Sequence, residues 1–155
     1  MKFDWVVERE IGVGATPVSR EDMEVLREAG FMARLDLIEK HEPGYRGEVE
    51  GIEYKNIPTP DLAEDGAGAT VPDEVIIEAV RYIRKNVEAG RPVYVHCRWG
   101  ANRSAVVVTA YLCAIKKIRL YEAIRMLKER HPEANPNYRQ VAALCVCLEK
   151  RGAEI

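Results

Sequence analysis

The sequence predicts an α/β fold, a single domain in which helices flank a central, mainly parallel, twisted sheet. Three observations predict it. Short apolar runs rich in β-branched residues alternate with longer stretches in which apolar residues recur every three or four positions. Glycines (Gly30, Gly90) close two of those helical stretches just ahead of a strand, the order expected of parallel neighbours joined by right-handed crossovers. The 155 residues suit one domain, large enough to bury roughly 70% of its unfolded surface. In such a fold a ligand site belongs at the carboxyl end of the central strand.

Residues 3–7 and 11–14 read as strands around a charged turn at Glu8 to Glu10. Gly12-Val13-Gly14-Ala15 matches part of a nucleotide-binding glycine run. Pro17 intervenes, however, and neither a third glycine nor a helix follows in register, so a strand end is the better reading. Ser19, with Asp22 three residues on, marks a helix start that runs through Met23, Val25 and Leu26 to a stop at Gly30. A strand is expected over 31–38, and 39–47 is loop by its proline and glycine content. Residues 51–57 alternate as a strand and end at Pro58-Thr59-Pro60-Asp61, after which 62–71 is rich in glycine and alanine, a composition suited to a mobile flap. Pro72 or Asp73 opens a helix with Ile76, Ala79, Val80, Ile83 and Val87 on one face, ending near Gly90. Residues 105–115 are apolar nearly all round, as a helix buried beneath a sheet should be, and Lys116 and Lys117 suit its C-terminal dipole. An amphipathic helix over 120–130 runs to His131-Pro132. The last helix, about 138–151, offers Val141, Leu144, Cys145 and Leu148 to the core and stops at Gly152.

The chemistry is concentrated between the central strand and the helix after it. Val93 and Val95 lead to Cys97, five residues containing Gly100 follow, and then come Arg103, Ser104 and the apolar run from Ala105. A loop of this kind can turn the backbone N–H groups of Arg98, Trp99, Gly100, Ala101, Asn102, Arg103 and Ser104 inward at the first turn of the helix, forming a cradle for a dianion. Cys97 would lie at its base and Arg103 on its rim. A free thiol titrates near about 8.5, and such surroundings favour the anion, bringing comparable thiols to about 3.5 to 7.5. The planar fork of an arginine grips two phosphate oxygens as phosphorus becomes trigonal, which lysine cannot do. Phosphoryl transfer from a monoester to a thiolate is the reaction this arrangement serves. Ser104 has two readings, a donor to the sulfur when it leaves and a helix cap. His96 likewise either orients the loop or is a satisfied core residue.

His96-Cys97, five intervening residues and Arg103-Ser104, with Gly100 inside, resembles the signature of the cysteine-based protein tyrosine phosphatases. The surrounding chain resembles their compact dual-specificity branch over nearly its whole length. The resemblance implies a phosphatase-type fold and one catalytic domain over 1–155. It also implies hydrolysis of phosphotyrosine, and of phosphoserine or phosphothreonine, in proteins through a phosphocysteine. The alternatives are a phosphatase of phosphoinositides or RNA 5′ phosphates, and a phosphoprotein-binding module without turnover. Asp61, after the two prolines, is similar to the family's general acid, which protonates the leaving oxygen and then helps activate water, contributing about 10² to 10⁴ in rate. The gap from Asp61 to Cys97 exceeds the family's, so Asp65 is the second candidate. The same resemblance places 39–47 at one wall of the pocket, with Tyr45 and Arg46 as candidate contacts, although the residues also read as a solvated charged loop. Asn137 and Gln140 are candidates either for the site or for helix capping.

Composition restricts the partners. With 23 basic and 25 acidic residues the net charge is −2, so nothing global draws the chain to nucleic acid or an anionic membrane. No uncharged apolar run is long enough for a signal peptide or a membrane span, and Lys2, Asp4 and Glu8 interrupt the N-terminus. The expectation is a cytoplasmic monomer whose partner is a phosphoprotein or phosphopeptide substrate. The four cysteines, Cys97, Cys113, Cys145 and Cys147, lack metal-binding spacing, so reduced thiols are expected. No metal or cofactor is called for, because thiolate, guanidinium and amide groups supply the electrostatics.

Overall fold

The computed structural model describes residues 1–61 and 70–155. In chain order the elements are β1 (Phe3–Val7), β2 (Ile11–Gly14), α1 (Arg20–Glu28), β3 (Ala33–Asp36), β4 (Glu53–Asn56), α2 (Asp73–Glu88), β5 (Val93–His96), α3 (Arg103–Ala114), α4 (Leu120–Arg130) and α5 (Tyr138–Arg151). The strands form one sheet in the order β1-β2-β5-β3-β4. β5 pairs in parallel with both β2 and β3, and β3 pairs in parallel with β4. Among the described strands only β1 runs antiparallel, against β2, so the sheet is mixed with one antiparallel edge. The central strand is therefore the one that ends in His96.

Side chains alternate across β5 as a pleated strand requires. Val93 and Val95 join Ile11, Val13, Ala33 and Leu35 in the larger core. Tyr94 faces the other way, toward Met23 and Leu26 of α1 and toward Phe31. Helix α3, buried from Arg103 to Leu112, packs against α2, α4 and α5 on the first face. On the second face Trp5 stacks on Phe31 with ring centroids 4.3 Å apart, and Tyr94 lies 5.4 Å from Phe31. A side chain at Gly12 would strike the Phe31 ring. Close packing, not phosphate binding, is what this glycine serves.

Local boundaries shift as well, the strand expected over 51–57 being Glu53–Asn56 and the helix expected from 105 beginning at Arg103. Helix α1 ends with Gly30 at φ +103°, its N–H donating to Arg27 O at 3.0 Å while the Phe31 N–H donates to Leu26 O at 3.1 Å. This closing motif ties Phe31 to the helix end, so the strand begins at Ala33 instead of residue 31. In α5 Leu144 and Cys147 are buried and Leu148 packs partly against the core, whereas Val141 and Cys145 are only half-buried.

The second face of the sheet also carries a polar row near the carboxyl ends of the strands. Arg34 pairs in register with Tyr94 and Tyr54, and Asp36 with His96 and Asn56. Arg34, Asp36 and His96 are all buried. They lie directly beneath the loop that follows His96.

Candidate active site

The loop between β5 and α3 is held from outside by its carbonyls. Arg98 O accepts from the Thr16 N–H at 3.2 Å, and Ala101 O accepts from the Asn135 N–H at 2.8 Å. Between them, Gly100 O lies 3.0 Å from Nε2 of His131. In a trans peptide the C=O and N–H point in opposite directions. Anchoring these three carbonyls therefore turns the N–H groups of Trp99, Ala101 and Asn102 away from the anchors. Gly100 has φ +76°, and a Cβ there would come within 2.8 Å of Gly14 O. Glycine is required on both counts.

Cys97 is buried, and its sulfur lies 3.2 Å from the Ser104 hydroxyl oxygen. The helix begins at Arg103 with Asn102 at the capping position. Ser104 is thus inside the first turn and faces the sulfur, and the capping reading falls away. Cys97, Arg103, Asp61, Trp99, Ala101 and Asn102 line one pocket.

Arg103 is nearly inaccessible, and its end-on edge is occupied by Glu42. Nη1 donates to Glu42 Oε2 and Nη2 to Glu42 Oε1, both at 2.7 Å. Nη1 also donates to Thr59 O at 2.9 Å. A guanidinium has five N–H groups. The side-on pair, Nε–H and the second Nη2–H, has no hydrogen-bond partner among the described residues. Asp61 Oδ2 stands 3.7 Å from Nη2. Burial pushes the Glu42 carboxyl up, but hydrogen bonds from Arg103 and the Glu39 N–H outweigh it and hold the group below the usual carboxylate range. Burial likewise opposes the charge on Arg103, and the Glu42 hydrogen bonds, with Cys97 and Asp61 nearby, raise its pKa nonetheless.

Below the loop, burial and then the charge of Arg34 hold the His96 imidazole well below its usual pKa, so the ring is neutral. Its Nδ1 is 3.9 Å from Asp36 Oδ1, and neither ring nitrogen has a hydrogen-bond partner among the described residues. What His96 contributes is its backbone: His96 O accepts from the Leu37 N–H at 2.9 Å. Asp36 accepts from the Tyr54 hydroxyl at 2.6 Å and from the Ile38 N–H at 2.8 Å. These bonds fix the start of the segment that carries Glu42.

The remaining sequence candidates fall into place. The Arg98 guanidinium lies 5.0 Å from the centre of the Trp99 ring, and that ring is 66% exposed at the pocket mouth. Arg46 donates to Glu39 O at 2.7 Å and Glu42 O at 3.0 Å, and so closes its own loop. Tyr45 joins that loop to the body, its N–H donating to Pro17 O and its carbonyl accepting from Arg34. Glu42 ties the segment to Arg103, Lys40, His41 and Pro43 are exposed, and neither Tyr45 nor Arg46 is among the residues that line the pocket. Asn137 and Gln140 form a reciprocal cap at the start of α5, with bonds of 3.0 and 2.8 Å. Asp65, the second candidate acid, lies outside the described residues. Two buried groups had no counterpart in the sequence reading, Glu42 on Arg103 and His131 on Gly100. The one hint of the first was an arginine that needed a counter-ion.

Residues 15–150 match the family model described as "Dual specificity phosphatase, catalytic domain". Mouse dual specificity protein phosphatase 1 is 32% identical over 120 residues, covering 77% of this chain and 30% of that protein. The chain thus spans about 30% of the length of that curated relative. Among solved structures, Tk-PTP in the active form superposes with TM-score 0.78 at 25% identity, covering 96% of this chain and 97% of the other. PTPMT1 in complex with PI(5)P superposes with TM-score 0.81 at 19% identity, covering 97% of each chain, a likeness of fold alone. No helix among the described residues is long and apolar enough to cross a membrane. The matched residues 15–150 include the loop at the end of β5, and the chain belongs to the dual-specificity phosphatase catalytic-domain family.

Proposed function

We propose that this protein is a phosphatase that hydrolyses phosphate monoesters on tyrosine, and on serine or threonine, in proteins, by way of a phosphocysteine at residue 97. The observation that carries the reading is the convergence of Cys97, Arg103 and Asp61 on one pocket. The Cys97 thiolate attacks phosphorus in line, the S–P bond forms and the P–O bond to the leaving group breaks. Asp61 gives its proton to the departing oxygen. A water then attacks the phosphocysteine, Asp61 takes its proton, and the sulfur leaves as thiolate with the Ser104 hydroxyl beside it. The side-on fork of Arg103 and the N–H groups of residues 98–104 hold the phosphoryl oxygens through both steps. The Glu42 and Thr59 bonds support this role, because they use the other donors of Arg103 and aim the fork.

The reading includes a cytoplasmic monomer acting on phosphoproteins. Its four cysteines are free thiols, as a reducing compartment would keep them. Rapid quenching during turnover of a phosphotyrosine peptide tests the chemistry. A phosphoryl adduct on Cys97, and its loss with turnover in Cys97→Ser, is the expected result; an adduct elsewhere refutes it. Rates on phosphotyrosine and phosphothreonine peptides and on a phosphoinositide test the substrate class. A faster rate on the lipid would overturn the protein assignment.

A further inference from the structure

His131 caps the C-terminal end of α4, is almost fully buried and takes no part in the chemistry described so far. Its ring bridges two parts of the molecule. Nε2 lies 3.0 Å from the carbonyl oxygen of Gly100, and Nδ1 lies 2.6 Å from Oδ2 of Asp4 on β1. A carbonyl oxygen and a carboxylate only accept hydrogen bonds. Both ring nitrogens must therefore donate, which requires the doubly protonated imidazolium. The end of a helix, where carbonyls gather, favours the same charge.

We propose that Asp4 and His131 are positioning residues for the phosphate-binding loop, Asp4 holding His131 as the cation whose Nε2–H pins the Gly100 carbonyl. The proposal rests on the phosphatase reading above. Pinning that carbonyl directs the N–H of the same peptide, on Ala101, away from His131 and toward the bound anion. When the ring loses a proton, its single N–H goes to the carboxylate, because charge-assisted bonds are the stronger. Nε2 then presents a lone pair to the lone pairs of Gly100 O. The anchor is thus present while both ring nitrogens carry protons and is lost when the ring gives one up. The charged groups facing the ring are Asp4 from β1 and Glu133 from the segment after α4, whose Oε2 is 3.5 Å from Nδ1. Lys2, ahead of β1, binds the other Glu133 oxygen at 3.0 Å.

Replacing the carboxylate separates charge from shape. In Asp4→Asn the amide can donate to Nδ1 of a neutral ring, leaving Nε2–H on Gly100 O at any pH. The anchor then no longer titrates. In His131→Leu it is absent throughout.

The test is tungstate binding by calorimetry between about pH 5.5 and about pH 8.5, a range that spans histidine titration and over which tungstate remains a dianion. The background is Cys97→Ser with Asp61→Asn, which removes the pocket's own thiol and carboxyl group. Affinity in this background is expected to fall about tenfold across the range, the effect of one charge-assisted bond. Adding Asp4→Asn should keep the low-pH affinity and abolish the slope. Adding His131→Leu should give weak binding, down about tenfold, that does not vary with pH. The same slope in all three proteins, or undiminished binding by His131→Leu, overturns the proposal. If His131→Leu does not fold, the slope of Asp4→Asn decides alone, since a purely structural role would change stability without flattening it. Wild-type turnover of p-nitrophenyl phosphate separates the two readings. With turnover present and slopes equal, only the positioning proposal fails; with neither turnover nor tungstate binding, the phosphatase reading fails and this one with it.

Discussion

Glu42 and Arg103 face each other edge to edge, both carboxylate oxygens accepting from the guanidinium at 2.7 Å, although 61 positions separate them in sequence. The pair is buried, so its charges are not screened by water. Removing one partner of such a pair leaves the other charge uncompensated, at a cost of about 3 kcal/mol. Glu42→Gln is expected to lower stability by about that amount, measured by urea unfolding, and to reduce kcat/KM by roughly 10²-fold as the fork loses its aim. The Glu42 pKa is depressed, so its stabilising effect is complete above the ordinary carboxylate range and lost as pH falls through the lowered value. The variant's stability should accordingly depend less steeply on acid.

Gly100→Ala tests the loop backbone. A side chain at φ +76° is strained, and its Cβ would sit 2.8 Å from Gly14 O and 3.1 Å from Nε2 of His131. Strain of about 1 to 2 kcal/mol is expected, with a displaced loop that lowers kcat by about 10²-fold. Unchanged circular dichroism with lost turnover is the expected pair of results. Full activity would mean that the loop tolerates rearrangement.

Ser104→Ala removes the hydroxyl that lies 3.2 Å from the sulfur. Its partner is a thiolate both before attack and on leaving the phosphocysteine. Stabilising the attacking anion does not speed the first step, whereas stabilising the departing one speeds the second, which should suffer most. Loss of a hydrogen bond to a charged group is worth about 1.5 to 3 kcal/mol. Stopped-flow traces should show a burst of leaving group followed by a turnover rate lowered at least about tenfold. A burst-free trace with slow chemistry would place the hydroxyl's role in the first step.

His96 predicts a pH dependence of stability. The folded ring is neutral, with its pKa pushed down by burial and by Arg34, whereas in the unfolded chain it takes up a proton below about 6.5. The unfolded state then binds the extra proton. Stability is therefore full above about 6.5 and declines as pH falls below it, by up to about 1.4 kcal/mol per pH unit. His96→Asn should flatten this part of the curve, measured by urea denaturation at several pH values. A slope unchanged by the substitution would assign it to another group.

The parts of the site that lie close together in sequence were legible before any coordinates. Strand, cysteine, glycine, arginine and helix follow one another between Val93 and Ala114, and local pattern sufficed to order them. Ser19 with Asp22 and Asn137 with Gln140 were readable for the same reason, since a cap and its partner are three residues apart. Asp61 required the family likeness, because nothing in a Pro-Asp loop by itself says where the carboxylate points. Glu42 and His131 were not legible. Their partners lie 61 and 31 residues away, and the Asp4 contact spans 127. Only the strand order, with β5 inserted between β2 and β3, brings those segments to one end of the sheet. Phe31 was misplaced because a β-favouring aromatic after glycine looks like a strand start, and the helix-closing bonds that claim it depend on the backbone of Gly30.

The two tryptophans occupy opposite kinds of environment. Trp5, half-buried, stacks on Phe31 at the edge of the aromatic cluster, and Trp99 stands exposed at the mouth of the pocket. The chain therefore carries two intrinsic optical reporters with separate jobs. Emission from the first follows unfolding of the sheet, while quenching of the second by a soluble agent, or its protection by an occupying ligand, follows events at the pocket without any attached dye.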